Sequence, residues 1–303
     1  MEAKRADKER YRLVNGTFLV TVLFYFGASI GLSEVLAKMD SILLRLGISQ
    51  LILAAPTIAY LLLVKQPLRE TIRLKPLKLT RVFLVLLFAL LVMPFMSFIN
   101  AISLLVTTNQ ATAELQELAE LPFVVSLLFV ALLPAVLEET VYRGVFFQEY
   151  RKINVPKGIL LSGLLFGLMH LNLNQFSYAF VMGCVFAVVI EATDTILSTM
   201  LIHFAINAFS TITTYLTADM PILTEVEAVT VTDVLQIGAV AIIPTILAAL
   251  ILLWLSRLQG RSYIWRELVG RKQEKHARLM TLPLVAGMLI CIGYIILYEL
   301  SIR

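Results

Sequence analysis

Apolar residues run along this chain in long stretches broken by short polar segments. A hydrocarbon core of about 30 Å needs roughly 20 apolar residues in a helix. Stretches at approximately 13–32, 47–64, 82–106, 122–147, 157–172, 176–191, 195–216, 233–256 and 279–298 fit that pattern. The expectation is an all-α fold, a polytopic membrane helical bundle of about nine transmembrane helices. The fifth and sixth stretches are short for a full crossing, so eight is the alternative count. The first apolar run continues too far for a signal peptide, whose apolar region spans about 7–15 residues, and reads as a retained first span. The segment TTNQATAELQELAEL, at 107–121, reads as a short amphipathic helix leading into the fourth span, with Leu115, Leu118 and Leu121 on one side.

Charge then fixes the alternation of loops. With nine spans and a cytoplasmic N-terminus, the inner segments are 1–12, 65–81, 148–157, 191–195 and 257–278. They hold five, six, three, zero and seven Lys or Arg, which is 21 of the 25 basic residues in the chain. The outer loops carry acids instead, among them Glu114, Glu117, Asp219, Glu225 and Asp233. Such a bias sets orientation by the positive-inside rule. It also explains the net charge of +4 without nucleic acid as a partner. Composition agrees: 59% of the 303 residues are hydrophobic and 15% charged, against roughly 25% charged in an ordinary soluble domain. Cys184 and Cys291 both lie in apolar runs and read as small core residues rather than as a disulfide or a metal site.

Against this background, several polar residues stand where a membrane span should have none. A charge at the centre of a span costs about 2.5–3.5 kcal/mol on insertion scales, so such residues are rare and functional by default. The fourth span reads LLPAVLEETVYRGVFF. Glu138 and Glu139 are adjacent and point about 100° apart on a helix. Glu139 and Arg143 are spaced i, i+4 with the acid first, the favourable order for an ion pair. Glu138 is left facing elsewhere, without a local partner. Pro134 removes one backbone bond and frees the carbonyl of Val130, bending the helix near the acids. The fifth span carries His170 one turn after Phe166, and a Gly163/Gly167 pair that lets another helix approach closely. The seventh carries His203 and Asn207 on one face, where both can donate to one oxygen. Counting about 1.5 Å per residue from the inner helix ends, these groups lie roughly 12–20 Å deep, in one layer.

Peptide hydrolysis needs an activated water and a stabilised oxyanion. Glu138 can take the proton of water. His203 and Asn207 can meet the oxyanion, and His170 can position the water or protonate the leaving amine. Alternatively Glu138, His170 and His203 can bind zinc with one position open to water, although the HExxH signature is missing. Zinc and no cofactor at all are equally open at this point. No GxSxG and no Walker loop is present.

At these residues the chain resembles the CAAX prenyl endopeptidase and bacteriocin-processing family, known as CPBP or Abi. Its motifs EExxxR, FxxxH and HxxxN read here Glu138-Glu139-Thr140-Val141-Tyr142-Arg143, Phe166-Gly167-Leu168-Met169-His170 and His203-Phe204-Ala205-Ile206-Asn207. They occur in the family's order, each on its own apolar span. The resemblance covers roughly 121–217. The chain then divides into three N-terminal spans and a connector at 1–120, a catalytic core of four spans at 121–217, and two C-terminal spans with a basic inner loop at 218–303. The resemblance implies an intramembrane endopeptidase with a cytosol-facing cavity, acting on a hydrophobic or lipidated peptide or protein in the lipid bilayer, with a multi-pass chain in a bacterial plasma membrane. It implies Glu138 as general base or metal ligand, Glu139 and Arg143 in support, and water, oxyanion or metal contacts from His170, His203 and Asn207. Two other readings compete: a catalytically silent binding or bacteriocin-immunity protein of the same fold, and a proton-coupled transporter.

Overall fold

The computed structural model describes residues 2–34, 42–65, 67–107, 121–217, 229–269 and 279–302, with the side chains of 2–9 excluded. The expected amphipathic segment at 107–121 falls almost entirely outside these residues. Every regular element described is helical: α1 (Glu2–Gly31), α2 (Ile42–Val64), α3 (Leu79–Leu104), α4 (Phe123–Arg151), α5 (Val155–Leu168), α6 (Leu173–Thr193), α7 (Ile196–Thr217), α8 (Val231–Leu258) and α9 (Leu282–Ser301). Short helices at Leu68–Thr71 and Ile264–Val269 lie in the connections.

Eight of the nine are long and apolar enough to cross a membrane. The ninth, α5, has 14 residues and spans about 21 Å at 1.5 Å per residue. It is therefore too short to cross alone, and it ends two residues before His170. Its hairpin with α6 turns at Asn172, whose side chain accepts the amide of Gln175 at 3.0 Å and caps α6. The sixth stretch proves longer than expected, because α6 starts at Leu173 and runs for 21 residues. The outer faces of the bundle keep their apolar side chains exposed. On α8, for example, Val240, Ile243 and Leu247 line one exposed face, the arrangement of a helix solvated by lipid.

Beside a smaller apolar core around Phe147, Ile190 and Ile196, two large ones form. One joins α1, α2, α4, α5 and α9 around Phe18, Phe146 and Leu165. The other joins α3, α6, α7 and α8 around Phe88, Phe186 and Leu252. The α5–α6 contact is as close as the small residues allow. A Cβ on Gly163 would sit 2.6 Å from Cys184 Sγ and 2.9 Å from the carbonyl of Phe180, and one on Gly183 would sit 2.7 Å from the Cα of Gly163. Gly167 faces the carbonyl of Phe176 in the same way.

The described parts of the five segments expected to share one side of the membrane gather at one end of the bundle. Glu191, fully buried at the end of α6, receives Arg73 at 3.0 Å, Arg261 at 2.9 Å and Arg151. Asp194 takes Arg261 at 3.2 Å and Lys75. Arg10 reaches Glu149 at 3.3 Å. Nearby, Tyr150 donates to Asn15 at 2.8 Å, and Asn15 donates to the carbonyl of Leu279 at 2.8 Å, so α1, α4 and the start of α9 are tied together. Three connections thus close over a pair of carboxylates, Glu191 and Asp194, supplied where α6 passes into α7.

Asp194 ends α6 in the left-handed conformation (φ 57°). Burial raises its carboxyl, but the Lys75 hydrogen bond and the charges of Arg261, Arg73 and Lys75 outweigh that and hold it below its ordinary value. A carboxyl lowered in the folded state stabilises the fold above its unfolded pKa, roughly 3.9, and loses that contribution as pH falls further. Asp194→Asn is therefore expected to lower the melting temperature at pH 7, with the gap to wild type closing below about pH 4. Melting curves of both proteins across pH check this, and a gap that widens on acidification contradicts it.

Candidate active site

The fourth span is not a regular α-helix. Leu127–Leu132 and Thr140–Phe146 are π-helical, on either side of an α-helical turn at Leu133–Glu139 that contains Pro134. Proline removes the bond to the carbonyl four residues earlier, and π turns are common where a helix carries a functional group. Side chains from other positions reach the carbonyls of this widened stretch. Asn207 donates to Val130 at 3.1 Å, Ser162 to Tyr142 at 2.9 Å and Gln148 to Arg143 at 2.9 Å. The carbonyl that the sequence marks as freed by Pro134 is thus held by a motif residue of α7.

Glu139 and Arg143 are both fully buried, with Arg143 Nη1 at 3.0 Å from Glu139 Oε1. The same oxygen meets His203 Nδ1 at 3.1 Å. Because Glu139 is paired with a permanent cation and acts as acceptor, Nδ1 is the donor and the ring is held by its far nitrogen. Nε2 of His203 then points toward Glu138, 3.9 Å from Oε2. Glu139 Oε2 has no hydrogen-bond partner among the described residues. Arg143 is held by ring faces as well as by charge. Its guanidinium lies 4.2 Å from the ring centre of Phe166 and 4.9 Å from that of Phe186. These rings belong to the two different apolar cores, so the cation sits at their seam. Such contacts are worth about 2 kcal/mol or more when desolvated.

Phe166 has more to do than share a face with His170. It packs edge-on against the His170 ring at 4.9 Å and the His203 ring at 6.2 Å, and its carbonyl bonds His170 Nδ1 at 2.9 Å. Since a carbonyl can only accept, His170 Nδ1 donates and Nε2 is left as an acceptor. The two histidines therefore present the same nitrogen, each fixed from behind by an oxygen.

Glu138 has a partner that its own helix does not supply. Gln50 of α2 donates to Glu138 Oε1 at 2.8 Å. The Oε1 of Gln50 is buried without a hydrogen-bond partner among the described residues. Nothing in the local sequence marks Gln50, an uncharged residue in an apolar span with no motif around it. Glu191 was missed for a related reason: it reads as an acid at the end of a span, and its partners come from three distant loops.

Of the six expected residues, Glu138, Glu139, Arg143 and His203 form one contiguous cluster. His203 and Asn207 do not share an acceptor, as their spacing suggested. Each is tethered separately to α4, His203 to a carboxylate and Asn207 to a backbone carbonyl. His170 and Asn207 together line a cavity of about 1170 Å³. The cavity lies between the ends of α1, α3, α7 and α9 that are farthest from the ionic cluster, with Ser33, Asn100, Ser210 and Tyr298 on its walls. That is the end opposite the basic segments, whereas the family resemblance implies a cavity facing the cytosol. Among the described residues, no group of three His, Cys, Asp or Glu side chains is arranged to hold a metal ion. Glu138, His170 and His203 are not gathered into such a group.

Comparison with known proteins agrees with the motifs. Residues 120–209 match the family model of the type II CAAX prenyl endopeptidases, Rce1-like. The resemblance carried by the three motifs holds over that stretch, which includes all six expected site residues. No curated protein and no solved structure matches the chain. Together with the eight long apolar helices, the match makes this a multi-pass membrane protein similar in its central spans to a family of membrane-embedded endopeptidases.

Proposed function

We propose that this protein is an intramembrane endopeptidase that hydrolyses its substrate with a water activated by Glu138. One observation carries the reading: a carboxylate held from a second helix stands beside a histidine whose far nitrogen is anchored on a buried Glu–Arg pair. A buried ion pair kept only for packing has no need of Gln50 or of a matched orientation in two histidines.

In this reading water lies against Glu138, and His170 Nε2 accepts one of its hydrogens. Glu138 takes the other proton as the water oxygen bonds to the scissile carbonyl carbon. The oxyanion that forms is met by the second Nδ2 hydrogen of Asn207, while Nε2 of His203, its ring held from behind by Glu139, shares the proton that Glu138 has taken. The C–N bond then breaks, and the proton held by Glu138 passes to the departing amine. Donors fixed in advance, in a site with little water, are what make such stabilisation effective. The basic end of the bundle lies at the cytoplasmic face of a bacterial plasma membrane, and the substrate is a hydrophobic or lipidated peptide.

Gln50 is a positioning residue in this scheme. It fixes one oxygen of Glu138, and its unpartnered Oε1 is free to accept from the water. Gln50→Ala is expected to lower kcat about tenfold, the worth of one hydrogen bond to a charged group, with KM unchanged. Steady-state kinetics check this, and a change confined to KM would assign Gln50 to substrate binding instead.

The reading as a whole is tested by offering the protein, in lipid nanodiscs, a peptide library with and without a chelator and reading cleavage by mass spectrometry. Cleavage that survives the chelator is expected. Cleavage lost with chelator and restored by Zn²⁺ would transfer Glu138, His170 and His203 to a metal. No cleavage of any peptide would favour the silent immunity protein.

A further inference from the structure

Every turnover of a hydrolase consumes a water, and His170 lines the large cavity while Glu138 does not. The seam between α2 and α4 carries polar groups that lead to Glu138 from the other direction. Both helices run toward the basic end, and they are pinned together at two levels. Gln50 meets Glu138 at 2.8 Å. Ten residues further along α2, about 15 Å on, the Tyr60 hydroxyl lies beside Arg10 and Glu149. Glu149 in turn takes Arg10 at 3.3 Å and Lys152 at 2.7 Å, and Lys152 reaches the surface.

Between those levels stand two hydroxyls that lack the usual company. Thr57 of α2 and Tyr142 of α4 are each 1% exposed, and neither hydroxyl has a hydrogen-bond partner among the described residues. Threonines elsewhere in the spans donate to the carbonyl one turn back, as Thr17, Thr21, Thr140, Thr211 and Thr245 do. Thr57 makes no such bond. Tyr142 stands one turn after Glu138, and no charge bears on its hydroxyl more than that of Glu138. Gln50 Oε1 is a third buried oxygen of this kind. All three residues lie at least seven positions inside their helices. Buried polar groups left unsatisfied are costly, and proteins meet them with internal water.

We propose that the α2–α4 seam holds a file of water that runs from Glu138 past Tyr142 and Thr57 to Tyr60 and the Arg10–Glu149 pair, and that supplies the water Glu138 activates. The inference rests on the proteolytic reading above and adds a route to it. Thr57, Tyr60 and Tyr142 are positioning residues that hold water rather than substrate. Thr57 and Tyr60 lie outside the stretch at 120–209 that matches the family model. With such a file, water arrives from one end of the bundle while a substrate fills the cavity at the other.

Radiolytic hydroxyl-radical labelling reads internal water directly, because radicals form from bound water beside the side chains that they oxidise. Wild-type protein in nanodiscs supplies its own control. Tyr150 is as buried as Tyr142, but its hydroxyl is bonded to Asn15 at 2.8 Å. Tyr60 and Tyr142 are expected to be oxidised at least about tenfold faster than Tyr150. Thr57→Val keeps the shape of the side chain and removes the hydroxyl. It is expected to slow oxidation of Tyr142 severalfold and to lower kcat about threefold to tenfold with KM unchanged. Tyr142 as slow as Tyr150, or a Thr57→Val protein that labels or hydrolyses as wild type does, overturns the inference. So does a rise in melting temperature in Thr57→Val, the result of removing a hydroxyl that holds nothing. Labelling needs no substrate, which keeps the two readings apart. Fast labelling in a protein that cleaves no peptide leaves the water file standing and sinks the hydrolytic reading. Slow labelling in a protein that cleaves does the reverse.

Discussion

Replacing Glu138 by Gln is expected to reduce peptide hydrolysis by a factor of about 10² to 10⁴, the usual worth of a positioned general base. The fold should survive. Glu138 is partly exposed rather than sealed in, and the amide of Gln keeps an oxygen for the Gln50 N–H that now meets Oε1 at 2.8 Å. What the substitution removes is the capacity to take a proton from water. The loss should therefore fall on kcat and leave KM almost unchanged. Helix content and melting temperature should match wild type, and the two measurements together separate lost chemistry from lost structure. A variant that hydrolyses peptide at the wild-type rate would remove Glu138 from the mechanism.

The second large effect is on stability. Glu139 and Arg143 have no exposed surface, and each is the other's main charge partner. Glu139→Ala strands the Arg143 guanidinium between the rings of Phe166 and Phe186. Breaking a buried pair from one side typically costs about 3–5 kcal/mol. The double substitution Glu139→Leu with Arg143→Met leaves no charge behind and is expected to recover most of that loss. It should nevertheless stay inactive, because His203 Nδ1 loses the oxygen that orients it. Thermal unfolding of the two variants and wild type, set beside their activities, checks this. A double variant that is as active as wild type would show that the pair serves packing alone.

The sequence made the site's charged members visible because charge is expensive in a span. Glu138, Glu139 and Arg143 needed no alignment to be singled out, and the i, i+4 spacing of Glu139 and Arg143 identified their pairing. The freed carbonyl of Val130 was also readable, since it follows from Pro134 alone. Its partner was not, because an Asn in a distant helix has many acceptors open to it. Phe186 was hidden for the opposite reason, since a phenylalanine in an apolar helix is unremarked until a cation is found against its face; Phe166 was visible as a motif residue, but its contact with Arg143 was not. Gln50 pairs with Glu138 across 88 positions, and nothing local foretells such a contact. The short reach of α5 was legible in its length. The placement of the cavity at the end remote from the basic loops was not, because it depends on how the ends of α1, α3, α7 and α9 splay.

Hydrolysis of one capped peptide by wild type, Glu138→Gln, His203→Ala and the double variant tests the convergence of these residues most directly. Groups that act as one unit fail together, so the double variant is expected to be no slower than the slower single variant. Multiplying losses, or a full rate in either single variant, would mean that the carboxylate of α4 and the imidazole of α7 do not serve the same reaction.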